Sequence, residues 1–491
     1  MALQGYNMSH RAISRRDFIA CGTSAAAALM NRRALSQTSD LTDLTIHDAA
    51  ALIRSRAISP VELTEAYLQR IEDFNPRLNA FITVTKDLAL QQALQMEAEL
   101  SRGQWRGPLH GIPVALKDNI DTAGIPTTAA SAVFADRVPT EDAEVFRRLK
   151  NAGAVLLGKL NMHEFAAGGT SDVSHYGPVH NPWDLERVPG GSSGGSAAAV
   201  SARLCAGALG TDTGGSIRSP SAYCGIAGLK PTYGLASIRG IIPYGITADC
   251  VGPMCRSVGD VAIMLQVLAG YDARCIASIR VAVPAYTDAL TRPVSGIRLG
   301  VPRALYKDVD TEILASVEEA LDMLRPMTAH VQEVELPVFS GQRPTLVESY
   351  AYHKAYLEDS GELYQPSTFQ RLLRGKDTSA FVYADARNAL SLIRKEIASV
   401  FDDVDLLVMP TKRVLAGRIH EDVDNPDPIR NTLPFNLYGT PAISVPCGFS
   451  IEGWPIGLQI GGPHLGEVEV LALANAYEQA TDWHHRYPPL T

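Results

Sequence analysis

The chain lacks the signatures that would mark a metal, redox or nucleotide protein of its size. Its seven cysteines (Cys21, Cys205, Cys224, Cys250, Cys255, Cys275 and Cys447) form no Cys-x-x-Cys pair, and none stands at zinc-ligand spacing from a histidine. An odd number scattered over 491 residues argues against a disulfide framework and for free, buried thiols. No extended basic run occurs and the net charge is −9, so a nucleic-acid partner is not expected. No Gly-Lys-Ser/Thr loop is present in the glycine clusters, and no Gly-x-Gly-x-x-Gly opens a helix after a clear strand, which disfavours phosphate and dinucleotide cradles. The N-terminal apolar tract, Phe18 to Met30, is far shorter than the about 20 residues of a membrane span, so stable membrane insertion is not expected. No cofactor or metal is indicated. After residue 37 there is no internal repeat and no extended low-complexity segment.

What is present begins with an address. Residues 14–19 read Ser-Arg-Arg-Asp-Phe-Ile, and twin arginines before a weakly apolar tract resemble a twin-arginine export signal. Ala34-Leu35-Ser36 puts small residues before a cleavage point at Gln37. The expectation is a leader over 1–36, passage through the twin-arginine machinery, and a periplasmic or secreted protein beginning near Gln37. Without that signal the protein would be cytoplasmic. Cys21 follows Phe-Ile-Ala, but almost no apolar segment precedes it, so lipidation is not expected.

Beyond the leader, helix and strand patterns alternate. Thr45 and Ser59 are N-cap residues, the second followed by Pro60 at the first helical position. Leu63, Tyr67 and Ile71 recur at helical spacing, which buries one face. Further helices are predicted at 86–101, 141–151 and 467–482. Short apolar runs at Gly111–Leu116, Ala154–Lys159, Asp405–Pro410 and Ala442–Pro446 read as buried strands. The fold class expected is α/β, with a central mixed, largely parallel sheet flanked by helices in a single catalytic domain over 37–491. Residues 340–400 read as a helical cap. Its Tyr350, Tyr352, Tyr356, Tyr364 and Tyr383 either line a pocket or pack.

The most informative stretch is 189–220, PGGSSGGSAAAVSARLCAGALGTDTGGSIRSP. Two Gly/Ser clusters flank a small-residue segment, which suggests serine hydroxyls held near backbone donors. A flexible linker is disfavoured by the apolar flanks. Gly191-Ser192-Ser193-Gly194-Gly195 formally matches Gly-x-Ser-x-Gly with Ser193 as nucleophile, but Glu186–Pro189 makes a poor preceding strand. The late histidines His464, His484 and His485 sit in a helix-and-tail context.

The segment Gly210-Thr211-Asp212-Thr213-Gly214-Gly215-Ser216-Ile217-Arg218-Ser219-Pro220, with Gly225 after it, resembles the core of the amidase signature family. Similar motifs follow one another along the chain: Gly111-Ile112-Pro113, Lys117-Asp118-Asn119, Asn161–Phe165, Gly168–Ser171, Gly228–Thr232 and Gly252-Pro253-Met254. The resemblance implies a Ser–Ser–Lys triad: Lys117 as base, Ser192 as relay in a cis peptide, and Ser216 as nucleophile. It also implies an oxyanion hole of backbone N–H groups at Thr213, Gly214, Gly215 and Ser216, with Ser193, Asp212 and Arg218 supporting the loop. His163 and Glu164 have no zinc-partner pattern and read as packing or hydrogen-bonding residues.

A serine hydroxyl needs an adjacent base, and lysine serves only when neutral. Burial lowers its pKa, and the run Val114-Ala115-Leu116 before Lys117 makes burial reasonable. The activity implied is hydrolysis of a small-molecule carboxylic amide through an acyl-enzyme, with a homodimer as a possible assembly. Carbamate, urethane or ester hydrolysis on the same triad is the alternative. Residues 240–262 are closest to indoleacetamide-type amidases, which hints at an aryl or small apolar acyl group. A further alternative is the A-type subunit of a glutamine amidotransferase, which supplies ammonia to a partner. That A-type chain carries an acidic residue shortly before its Asn-Leu-x-Gly motif. Here Ile429-Arg430-Asn431-Thr432 precedes Asn436-Leu437-Tyr438-Gly439, and Asp427 lies slightly too early.

Overall fold

Local sequence signals set the first helices. In the computed structural model, which describes residues 40–421 and 428–490, α1 spans Ile46–Arg54 and α2 spans Pro60–Leu78. Thr45 Oγ1 accepts the Asp48 N–H at 3.0 Å, closing the first turn of α1. Ser59 Oγ accepts from Glu62 N at 3.0 Å, and the Glu62 carboxylate accepts from Ser59 N at 2.7 Å, a reciprocal capping box. The α2 face carrying Leu63, Tyr67 and Ile71 is buried. Helix α3 follows at Lys86–Ser101. The expected export leader, its cleavage site, Cys21 and Asp427 lie outside the described residues.

Eleven strands form one sheet. They are β1 (Phe81–Val84), β2 (Pro113–Lys117), β3 (Val155–Leu160), β4 (Gly207–Asp212), β5 (Ala227–Lys230) and β6 (Cys250–Cys255). The rest are β7 (Arg298–Val301), β8 (His330–Glu333), β9 (Leu406–Pro410), β10 (Ala442–Phe449) and β11 (Pro455–Gly461). Their spatial order is β1-β3-β2-β4-β6-β5-β10-β11-β9-β7-β8. The fold is α/β with a mixed sheet, as its alternating pattern predicts, but the sheet is not largely parallel. Parallel pairing is confined to two blocks, β3-β2-β4 and β9-β7-β8. Every other ladder is antiparallel. One cause is explicit: β10 and β11 are joined by a short turn after Phe449, and so short a link permits only a hairpin.

Helices α4 (Glu144–Asn151), α5 (Gly194–Ser201), α6 (Arg218–Cys224), α7 (Val258–Leu268) and α8 (Thr311–Leu324) flank the sheet. The cap consists of α9 (Pro344–Asp359), α10 (Pro366–Leu373) and α11 (Ala380–Glu396). Two last helices, α12 (Leu433–Tyr438) and α13 (Glu467–Gln479), close the chain. Helix α5 is buried at every position and packs on β2, β3 and β4. Its glycines make that contact possible, since a Cβ on Gly195 would lie 2.2 Å from Asn161 O. Among the described residues, no helix is long and apolar enough to cross a membrane.

The arrangement fixes where chemistry can occur. Strands β2 and β4 run parallel, with Leu116 opposite Leu209, so their C-terminal ends lie side by side. Those ends carry Lys117 and the Thr211-Asp212 pair. In sheets with parallel strands, ligands bind beyond such carboxyl ends.

Candidate active site

Lys117 ends β2 with no exposed surface. Its Nζ lies 2.7 Å from Ser192 Oγ and 2.8 Å from Thr211 Oγ1 on β4. The adjacent carboxylate is directed elsewhere: Asp118 accepts from Thr128 and pairs with the buried ammonium of Lys159 at 3.3 Å. Lys117 is therefore buried without a carboxylate in hydrogen-bonding contact. Desolvation pulls its pKa down to about 7, against the opposing influence of Asp212 and Asp249.

The serine clusters divide the work. The peptide bond between Gly191 and Ser192 is cis. Ser192 and Ser193 are both fully buried. Ser193 Oγ donates to Thr211 O at 3.1 Å and accepts from Thr211 N at 3.3 Å, which pins the first cluster to β4. That placement removes Ser193 from the nucleophile role that the Gly-x-Ser-x-Gly match would give it. Ser193 N donates to Ser216 O at 3.2 Å, so the two clusters touch through their backbones. Ser216 faces a cavity of about 680 Å³, and neither Lys117 nor Ser192 lines it. No hydrogen bond links Ser216 Oγ to Ser192 Oγ, a contact that in serine enzymes often tightens only with substrate bound.

The turn that carries Ser216 is shaped by one buried carboxylate. Asp212 accepts from Gly215 N at 2.7 Å and from Ile217 N at 3.0 Å. It pairs with Arg218 at 3.0 Å, and neither side chain is exposed. Arg218 also donates to Thr432 O and Gln459 Oε1, both at 2.8 Å, and to Asn436 Oδ1 at 2.7 Å. Burial alone would raise the Asp212 pKa, but Arg218 and the backbone N–H groups outweigh it and hold the carboxyl far below its usual range. Asp212 and Arg218 thus brace the turn that carries Ser216.

One expected oxyanion donor is corrected. The Gly215 N–H is taken by Asp212 and is not free to meet a developing negative charge. Gly215 instead supplies conformation, with φ +124° and no room for a Cβ, which would meet Thr432 Oγ1 at 2.2 Å. Thr213, Gly214 and Ser216 keep backbone N–H groups without an acceptor among the described residues. Thr213 is held from the other side by Asp249, which accepts its hydroxyl at 2.5 Å and the N–H groups of Tyr244 and Gly245 at 3.0 and 3.1 Å. Burial raises the Asp249 pKa to about 6. Asp249 and Gln459 carry no sequence signal of their own, because each matters only through long-range contacts.

His163 and Glu164 take structural places. His163 Nδ1 accepts from Ser171 N at 3.3 Å, and its ring lies against Gly168. Glu164 accepts from Ser131 Oγ at 2.6 Å and from Gln365 N at 2.9 Å, tying the core to the cap. The cap tyrosines pack rather than line the cavity. Tyr364 is buried against Phe165 and His353, Tyr356 meets Phe134, and Tyr383 donates to Glu348. The cap's contribution to the cavity wall is instead Arg343, Arg371 and Arg374, with Thr345 and Leu346. Among the described residues, no group of His, Cys, Asp and Glu could hold a metal ion.

Known proteins carry the same architecture. A family model described as Amidase matches residues 62–471. The A-type subunit of the glutamyl-tRNA(Gln) amidotransferase of Geotalea daltonii is 41% identical over 483 residues, covering 91% of this chain and 99% of that protein. A solved structure, described as a vestigial protein complex that reveals the evolutionary origins of an s-triazine catabolic enzyme, superposes with a TM-score of 0.84 at 30% identity. It covers 89% of this chain and 98% of its own. The native peptide amidase from Stenotrophomonas maltophilia superposes with a TM-score of 0.81 at 33% identity, covering 91% of this chain and 98% of that one.

Proposed function

Because the chain belongs to the amidase signature family, whose members act on C–N bonds, we propose that it hydrolyses a carboxylic amide through an acyl-enzyme on Ser216. The observation that carries this reading is the buried Lys117 Nζ, 2.7 Å from Ser192 Oγ, beside the loop that presents Ser216 to the cavity. Ser216 Oγ attacks the amide carbonyl while its proton passes to Ser192, whose own proton passes to neutral Lys117. The N–H groups of Thr213, Gly214 and Ser216 face the oxyanion, an arrangement in which each donor is worth about 3 kcal/mol of barrier. The proton returns through Ser192 to the departing nitrogen as the C–N bond breaks. Water then attacks the ester along the same relay and releases the acid.

A panel of amides, anilides, carbamates and esters tests this reading, with acid and amine both quantified. Amide turnover that disappears in Ser216→Ala supports it. Turnover of carbamates or esters alone would replace it with the alternative on the same triad.

A second reading is favoured by the relatives named as A-type chains of the amidotransferase, which are 41% and 40% identical over 91% of the chain. It makes this chain a source of ammonia for a second protein. Among the described residues, the segment before Asn436 presents Glu421, Pro428, Ile429 and Leu433 to the cavity. Glutaminase activity together with a co-purifying partner chain would establish the second reading. We further propose that residues 1–36 are an export leader preceding one catalytic unit over 37–491. N-terminal sequencing of cell fractions tests it, and an intact Met1 or Ala2 terminus in the cytosol would sink it.

A further inference from the structure

Most guanidinium groups of the fold have a carboxylate. Arg137 binds Asp121 through two nitrogens, Arg218 binds Asp212, Arg239 joins Glu144 to Asp272, and Arg298 binds Asp405. Among the cap arginines without one, three stand apart. Arg343 caps the start of α9, Arg371 lies on α10 and Arg374 ends it. Among the described residues, none of their side chains makes a hydrogen bond or an ion pair, yet all three line the Ser216 cavity.

Arg371 and Arg374 are solvent-exposed and Arg343 is partly exposed, and the three repel one another. Burial lowers the Arg371 pKa first, and the charges of Arg374 and Arg343 lower it further. All three also act on Tyr244, which stands in the same wall. Burial lowers the His163 pKa, and Arg371 and Lys117 lower it further against the charge of Asp172. The lining residues Ile429, Leu433 and Leu437 are apolar. Glu421 is the one carboxylate among the described lining residues; it is exposed and accepts from Arg418 N. A guanidinium is a planar fork of donors matched to carboxylate geometry, and several uncompensated forks beside a cavity make a site for an oxyanion.

We infer that Arg343, Arg371 and Arg374 form the specificity subsite of this enzyme and select an amide whose far end carries a carboxylate with no ammonium beside it. The inference rests on Ser216 being the nucleophile of this cavity. An apolar linker between amide and carboxylate would lie on Ile429, Leu433 and Leu437. A zwitterion such as glutamine fits less well, because its ammonium would meet three cations and, among the described lining residues, only the exposed Glu421 as a counter-charge. A neutral aryl amide leaves the three charges unmet.

Binding separates this inference from the hydrolytic reading. The full chain carrying Ser216→Ala is titrated calorimetrically with malonamate, succinamate, glutaramate and adipamate, and with their methyl esters. At least one anionic amide should bind about 10–100-fold more tightly than its ester, as hydrogen bonds between charged partners give. Adding Arg371→Gln should remove that preference while leaving ester binding unchanged, which shows that the pocket is intact. Equal affinity for anion and ester, or a preference that survives Arg343→Gln, Arg371→Gln and Arg374→Gln together, overturns the inference. Turnover by the unmodified chain is measured on the same compounds. Ser216-dependent cleavage of the esters' amide bonds with no preference for the anions would leave the amidase reading standing and this inference refuted. Selective binding without any turnover would do the reverse.

Discussion

Lys117 can act as the proposed base only because the sequence buries it. The strand residues Val114, Ala115 and Leu116 before it are fully buried, and Asp118 is engaged by Lys159. With a pKa near 7, its neutral form grows as pH rises through neutrality. The rate constant kcat/KM for a neutral amide should therefore rise about tenfold per pH unit below 7 and level off above it. A flat profile from pH 5 to 9 would show that Lys117 is not the base. The same shift sets a stability signature. Folding lowers this pKa from about 10.5, so above that value Lys117 costs nothing. As pH falls from about 10.5 to 7 the unfolded chain takes up the proton first, and stability drops by about 1.4 kcal/mol per pH unit. The Lys117→Met protein should thus gain denaturant midpoint relative to the parent as pH falls through that window, while losing activity throughout. A pH-independent difference would contradict the burial argument. These roles were legible in the sequence only through motif resemblance, because the residues taken alone allow a surface lysine and any serine of the run.

Elements are legible where a local rule sets them and obscure where partners do. The caps at Thr45 and Ser59 and the runs that form β2, β3 and β9 follow from neighbours in sequence. Strand β4 was hidden because Gly207–Asp212 looks like more of the glycine-rich segment and has only Ala208 and Leu209 as apolar side chains. Its neighbours make it a strand: β2 on one side and β6 on the other. Strands β7 and β8, at one end of the sheet, are each four residues long, too short for a periodicity signal. The turn from β4 to α6 depends on Asp212 and Arg218 together. Asp212→Ala leaves a fully buried guanidinium without its carboxylate, which costs about 3–5 kcal/mol. It also releases the Gly215 and Ile217 N–H groups. Chemical denaturation should show that loss, with kcat falling in whatever protein remains folded. A stable, active Asp212→Ala protein would mean that the turn holds its shape without the pair.

At the scale of the molecule, the α/β class was legible because helix and strand patterns alternate. Strand directions were not, since pairing is decided by links and long-range register that no local pattern encodes. The cap was legible as helical, but which of its side chains face the cavity was not. Tyrosines were the natural candidates, and the fold spends them on packing while arginines line the cavity. Strands β2 and β4 and the two glycine-rich loops meet at one junction, and a single nucleophile is expected there. A slowly hydrolysed ester or anilide, mixed with the protein and quenched in acid, should leave its acyl mass on the proteolytic peptide containing Ser216. The adduct should be absent from Ser216→Ala and should accumulate much more slowly in Lys117→Ala. An acyl group on the peptide containing Ser193, or one that persists in Ser216→Ala, would contradict the central claim.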